Sequence, residues 1–310
     1  MALKNEEKDL DYKDLTMSTS TVSRREFLAG TTVLAGTAAL TGRFGFAAEP
    51  ETATKVTSGT DLVTLGRSGV KTTVLGVGTG THGGREQLGL GQAGFTAMVR
   101  HALERGIGYI DTADAYSTHL FVRFALEGVP RDKYFLQTKT RAKHPEVAKA
   151  DIDRFRRELR VDHIDSLLMH CMTRAGWPTD MRPVMDVLQE AKEKGRVRAV
   201  GISCHGMDPL AASVDVDWVD VQLVRINPFG LKMDGKPDQV AALVKKMHRK
   251  GRGVIGMKIF GEDGLGSPER RLESLKYVLG LGCVDAFTIG FGNIQQIDET
   301  LDLIKQASTA

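Results

Sequence analysis

Cysteine is scarce. The 310-residue chain has three, Cys171, Cys204 and Cys283. An odd, small number excludes a disulfide framework and matches no zinc spacing, so these thiols read as small buried hydrophobes. Aromatic residues make up only 6% of the chain, and they are not interleaved with any block of lysine and arginine. With a net charge of only +3, this leaves no electrostatic footprint for nucleic acid. No uncharged apolar run reaches the roughly 20 residues that a bilayer span needs, so no stable membrane span is expected. No G-x-G-x-x-G motif opens a first helix, which counts against an open, doubly wound dinucleotide-binding sheet.

What is present suits a large packed core: 41% apolar and 26% charged residues. The length fits two domains or one large α/β barrel of about 250 residues. The front is different in kind. "SRREFLAGTTVLAGTAAL", residues 23–40, sets two arginines before a mild apolar run diluted by threonine and glycine, and Ala47 and Ala48 follow. That order is the order of a signal peptide. It resembles the twin-arginine export signal, with Arg24 and Arg25 as the pair read by the export machinery. Residues 1–48 are expected to be this signal, with translation starting at Met1 or Met17. Residues 49–60 are expected to be a linker and 61–310 the folded domain. The expected location is exported, periplasmic or otherwise outside the cytoplasm, after folding inside it.

From Val70 onward one unit repeats: a short apolar run, then a helical stripe that ends in basic residues and a glycine. The ends read "ALERG" at Gly106, "AKEKG" at Gly195 and "MHRKG" at Gly251. Cations suit a helix C-terminus, and glycine suits the left-handed position just beyond it. Strands are predicted near 72–79, 107–111, 134–139, 164–170, 197–203, 218–224, 253–258 and 284–289. Helical stripes lie between them, for example Ala148, Ile152, Phe155 and Leu159. Eight strand–helix pairs predict a (β/α)8 TIM barrel, with the doubly wound sheet as the alternative.

Such barrels work at the C-terminal ends of their strands. The second strand ends at Asp111 and leads to Tyr116, the third ends at Lys139, and the fourth ends at His170. Each residue alone has an ordinary structural explanation. Together they form a coherent site. Asp111 is a counter-ion for Lys139, and a lysine cation beside a tyrosine is expected to lower its pKa. Tyr116 can then hand a proton to a developing alkoxide while His170 holds the carbonyl oxygen. The site lacks only a hydride donor. Phosphates in such barrels bind at the loops after the seventh and eighth strands, here "KIFGEDGLG" (258–266) and "GFGN" (290–293), the latter opening the last helix.

These residues resemble the aldo/keto reductase family. "GIGYIDTADAYSTH" is similar to its signature, and Asp111, Tyr116, Lys139 and His170 fall on its four catalytic positions. "LGRSGVKTTVLGVGTG" (65–80) resembles its opening hairpin and first strand, and "GRVRAVGIS" (195–203) its fifth strand. "QQIDET" (295–300) resembles the motif of its final helix. The resemblance covers about residues 62 to 306. It implies a nicotinamide-dependent oxidoreductase that interconverts an aldehyde or ketone with an alcohol. The implied cofactor is NADP, with NAD as the alternative.

By the same resemblance Ser203 and Gln222 hold the nicotinamide carboxamide, and Gln296, Glu299 and Thr300 lie near the adenosine. Gly78, Thr79, Phe260, Gly290 and Asn293 complete the implied cofactor set, together with four positions where the chain departs from the family. Cys204 replaces an asparagine. Arg225 replaces an aromatic shelf. Lys258 stands in a rebuilt loop with Glu262 and Asp263. Gly292 has no side chain where a residue for the 2′-phosphate often sits. No metal is expected, although Cys171, Cys204, His170 and His205 form a weaker, irregularly spaced candidate set. The competing functional reading is a barrel that binds a nucleotide or other ligand without turning it over. Arg174, Trp177 and Lys232 hint at a polar or anionic substrate.

Overall fold

In a computed structural model of the chain, the structure describes residues 56–262 and 266–309. Arg24, Arg25, the expected signal, most of the expected linker and Asp263 lie outside these residues.

Eight parallel strands close into one barrel: β3 (Leu75–Gly78), β4 (Tyr109–Asp111), β5 (Phe135–Thr140), β6 (Ile164–Met172), β7 (Val197–Cys204), β8 (Val221–Arg225), β9 (Gly253–Met257) and β10 (Ala286–Gly290). They follow one another in chain order, and β10 pairs back onto β3 with Gly290 opposite Gly78. The expected (β/α)8 barrel is therefore the observed fold. A hairpin of β1 (Leu62–Thr64) and β2 (Lys71–Thr73) precedes it, with Leu62 opposite Thr73.

The outer ring comprises α1 (Arg85–Gly89), α2 (Gly91–Glu104), α3 (His119–Leu126), α4 (Pro145–Leu159), α5 (Trp177–Asp180), α6 (Arg182–Glu193), α7 (Met207–Ser213), α8 (Pro237–Arg249), α9 (Pro268–Gly280) and α10 (Ile294–Ser308). Helix α4 buries the stripe read from the sequence, Ala148, Ile152, Phe155 and Leu159. Gly106, Gly195 and Gly251 take φ of 86°, 68° and 75°. These left-handed values make them the turn residues that their position after basic helix ends predicts.

One predicted strand is divided. "TTVLGVGT" reads as a single run, but it breaks at Val74 into β2 and β3. The Thr73 hydroxyl donates to the Leu75 carbonyl (2.8 Å) and accepts from the Gly108 and Tyr109 amides (3.2 and 3.1 Å). That bracket turns the chain from the hairpin into the barrel wall. The hairpin residues Leu65 and Val70 join Tyr109, Phe135, Leu168, Ala199, Val221, Leu223, Ile255 and Ala286 in the apolar plug of the barrel interior. The plug leaves the other end, where the strands terminate, for polar residues.

Candidate active site

Alternation along each strand decides what faces the barrel axis. On β5 the inward row runs Phe135, Gln137, Lys139, while Thr140 points outward and donates to the Asp151 carboxylate at 2.6 Å. Lys139 is essentially inaccessible, and its Nζ donates to Asp111 Oδ1 at 2.7 Å and to the Thr112 carbonyl at 2.8 Å. Burial alone would push the Lys139 pKa down. Asp111 and Tyr116 outweigh it and raise the pKa, so the ammonium stays charged. Gln137 was not read from the sequence. Its amide donates to Asp111 Oδ1 (2.9 Å) and to the Tyr109 hydroxyl (2.8 Å), and its oxygen accepts from Ser166 (2.9 Å). A polar amide two residues before the lysine, on the inward row, was the signal for it.

Tyr116 sits on a short 3-10 turn, Asp114–Tyr116, just past β4. Lys139 Nζ lies 5.0 Å from its ring centroid, and the His170 ring meets it edge-on at 5.6 Å. Gly80 permits this approach, since a Cβ there would come within 2.5 Å of the tyrosine ring. The turn is tied from outside. Arg154 of α4 donates to Asp114 (2.7 Å), Asp151 (2.7 Å) and Glu158 (3.0 Å). Asp114, His119 and Glu158 bring ligand-type atoms within 4.8 Å of one another, but the Arg154 guanidinium already supplies the cation there.

The expectation for the Tyr116 pKa is corrected. Lys139 does pull it down, but burial is the larger effect and the net direction is up. The phenol is therefore a firmly protonated donor. Burial, then the charges of Lys139, Arg141 and His205, hold His170 down to about 2. Its imidazole is neutral at any working pH, and its buried Nδ1 has no hydrogen-bond partner. Next to it, Cys171 takes φ of 67° at a register shift between β6 and β7, and its amide donates to Ser203 Oγ at 2.9 Å.

A trough leads from Asp111 and Tyr116 toward α10. Of the residues expected to bind a cofactor, it brings together Gly78, Lys258, Phe260, Gly290, Gln296 and Thr300. Others lie elsewhere. Thr79 is fully buried and bonded to Thr118 (2.8 Å). Ser203 is engaged by the Cys171 amide. Gln222 is paired in register with Ile202, away from the inward row of Val221 and Leu223, and its amide turns to Cys204 Sγ at 3.8 Å. Gly292 and Asn293 serve the start of α10: Asn293 Oδ1 accepts from the Gln296 amide, and Gln296 Oε1 accepts from the Gly292 amide. Glu299 is more than half exposed and lies 3.7 Å from Arg271.

Arg225 is held by Asp234 at 2.6 Å, a carboxylate that also accepts from the Gly206 amide (2.7 Å). Lys258 is paired with Glu262, which accepts from the His82 amide as well. Trp177, expected to line the substrate pocket, is buried in α5 and donates to the Pro209 carbonyl at 3.1 Å. Sequence reasoning missed Arg271 and Thr288, both on the trough.

The trough's chemistry fits an elongated anionic ligand. Lys258 and Arg271 supply cations, although each faces a carboxylate, Glu262 and Glu299, and Glu86 also lines the trough. Thr288 Oγ1 is buried without a partner. A Cβ at Gly78 would come within 2.8 Å of that oxygen, so the glycine keeps the wall open.

The model of the aldo/keto reductase family matches residues 74–277. The chain belongs to that family. It is 27% identical over 167 residues to the aldo-keto reductase YhdN of Bacillus subtilis, covering 48% of this chain and 49% of that protein. It is 26% identical over 188 residues to the NADH-specific methylglyoxal reductase of Escherichia coli, covering 53% of each. The chain thus spans about half the length of these curated relatives. An aldo-keto reductase from Bacillus halodurans in its holo form shares the fold with a TM-score of 0.65 at 19% identity, covering 80% of this chain and 95% of that one.

Proposed function

We propose that this aldo/keto reductase interconverts a carbonyl compound and an alcohol with a nicotinamide dinucleotide, and that NADP is preferred with NAD accepted. The observation that carries the reading is the buried Asp111–Lys139 pair set beside Tyr116 and a neutral His170. A bound nicotinamide would supply the hydride. Tyr116 gives its proton to the substrate oxygen as charge develops there. Lys139, held in place by Asp111, stabilises the phenolate left behind. His170, as a neutral N–H donor, fixes the carbonyl oxygen. Lys258, Arg271 and Gln296 are the residues of the trough that would hold the dinucleotide. Both kinds of nicotinamide remain in play because Gly292 contributes no side chain to a 2′-phosphate.

The test is Tyr116→Phe. Loss of the proton donor should lower kcat about 10²- to 10⁴-fold, with the nucleotide Kd changed by less than about threefold, which is under 1 kcal/mol. Undiminished turnover in this variant would sink the assignment. The wild-type pH profile carries the sign. A raised Tyr116 pKa keeps the donor protonated through neutrality, so reduction falls only at alkaline pH. No acid limb appears near 6.5, because His170 takes up no proton there.

Export rests on the sequence around Arg24 and Arg25. Fractionating cells that make the full chain, or its Arg24→Lys/Arg25→Lys variant, decides it: equal distribution of the two would reject a twin-arginine route.

A further inference from the structure

We propose that Arg154, on the outer side of the barrel wall, is a positioning residue that sets the separation of Tyr116 and Lys139. This rests on the reductase reading above and adds to it a residue outside the trough. The turn that carries Tyr116 is weakly built. It is a single 3-10 turn, Asp114–Tyr116, entered from Ala113 without a side-chain cap and left through Ser117 at φ of 57°. Its backbone bonds run from the Tyr116 amide to the Ala113 carbonyl (3.0 Å) and from the Ser117 amide to the Asp114 carbonyl (3.1 Å). Hydrogen bonds of this kind have poor geometry, and a left-handed serine adds a cost. The turn is tied from outside instead: Arg154 donates to Asp114 Oδ1 at 2.7 Å.

An arginine with carboxylates three and four residues away is ordinary on a helix surface. Arg154 differs in what its partners hold with their other oxygens. Asp151 gives Oδ1 to Arg154, and its Oδ2 accepts from Thr140 at 2.6 Å. Glu158 gives Oε1 to Arg154, and its Oε2 accepts from His119 Nδ1 at 2.7 Å. His119 Nε2 is then left to accept from the Thr138 hydroxyl at 2.8 Å. Thr138 and Thr140 are the outward neighbours of Lys139 on β5. One guanidinium therefore joins the turn of Tyr116 to both residues that bracket Lys139. On the inner side of the same wall, Lys139 Nζ stands 5.0 Å from the centre of the Tyr116 ring. A rigid planar fork holds three carboxylates in one arrangement, which an ammonium on a flexible stem does not.

The experiment uses the full chain with NADPH or NADH, benzaldehyde for reduction and benzyl alcohol for oxidation. Two variants change the charge in opposite senses, Arg154→Met and Asp114→Ala. The second cuts only the link to the turn and leaves Arg154 with Asp151 and Glu158. In both, kcat should fall roughly 10- to 100-fold, the order expected for a displacement of about 1 Å, with KM for aldehyde and nucleotide within about twofold. Lys139 pulls the Tyr116 pKa down, so a tyrosine that drifts from it ionises at higher pH. The rise of alcohol oxidation with pH should therefore move to higher pH in both variants. A simple charge effect would move it up in Arg154→Met and down in Asp114→Ala, and that result overturns the proposal. An unchanged kcat in either variant overturns it too, as does a loss of nucleotide affinity in step with kcat, which marks a loosened fold. If the wild type turns over neither probe, the reductase reading falls, and NMR of protein labelled at the tyrosine Cζ decides the positioning by itself. The Tyr116 resonance, identified by its loss in Tyr116→Phe, should be displaced in both variants while those of Tyr134 and Tyr277 stay in place. A Tyr116 resonance that keeps its wild-type position overturns the proposal.

Discussion

The two walls of the site are built on different electrical plans. The wall of β4, β5 and β6 holds a closed network. Asp111 and Lys139 are almost wholly inaccessible, and every bond of the carboxylate oxygen between them is made within the barrel. The wall beyond β8 and β9 carries its cations in pairs with local carboxylates, Arg225 with the buried Asp234 and Lys258 with Glu262, and here it is the cations that reach water. In the first wall the ion pair is part of the reacting machinery and cannot be loosened without cost. In the second, each carboxylate cancels a charge that could otherwise meet an anionic ligand. The difference teaches that charge pairing alone does not identify catalysis. Burial and the identity of the third neighbour do.

The largest effect should come from breaking the buried pair. Lys139→Met leaves the nearly inaccessible Asp111 carboxylate without its cation. The cost of stranding a buried charge is about 3–5 kcal/mol, read as a lower midpoint in chemical denaturation, and turnover should be lost with it. Asp111→Asn/Lys139→Met removes both charges and should recover most of the stability without recovering turnover. A single variant as stable as the double would show that the pair contributes chemistry but no structural constraint, and the contrast between the walls would fail.

Much of this was legible in advance, for a physical reason. Strand ends in a barrel are marked by the change from apolar runs to polar residues, so Asp111, Lys139 and His170 could be read off as the last inward positions. The basic-then-glycine helix endings could be read because two local effects, the helix dipole and left-handed backbone, act within one turn. Effects that depend on depth or on distant loops were hidden. Burial reverses the expected direction of the Tyr116 shift, and burial is not written in the local sequence. Asp234 meets Arg225 only because the loop after β8 folds back, which no spacing announces. Gln222 and Trp177 show the same limit. Residue type suggested ligand contacts for both, but the pleat turns one toward Cys204 and a short helix buries the other. The split of β2 from β3 is held by the Thr73 hydroxyl and by the amides of Val74 and Leu75, which donate to the Asp61 and Gly59 carbonyls.

The smallest effect, and the one that sharpens the comparison most, is on the outer wall. Glu262 occupies the trough and binds Lys258. Both side chains are partly exposed, 26% for Lys258 and 13% for Glu262, so solvent screens the pair and its worth to stability is small. Its worth to a phosphate-bearing ligand is of another kind. A carboxylate about 8 Å from a phosphate repels it by about 1 kcal/mol at an intermediate effective dielectric of about 40. Glu262→Gln keeps the shape and can still accept from the His82 amide, but it removes that repulsion and frees the Lys258 ammonium. Nucleotide affinity should therefore rise about three- to tenfold, more for NADPH than for NADH, with a steeper dependence on salt because an unpaired cation now faces the ligand. Titration of both nucleotides at two ionic strengths reads this directly. Weaker binding in the variant would mean that Glu262 orients Lys258 for the ligand instead of cancelling it, and the outer wall would then follow the same plan as the inner one.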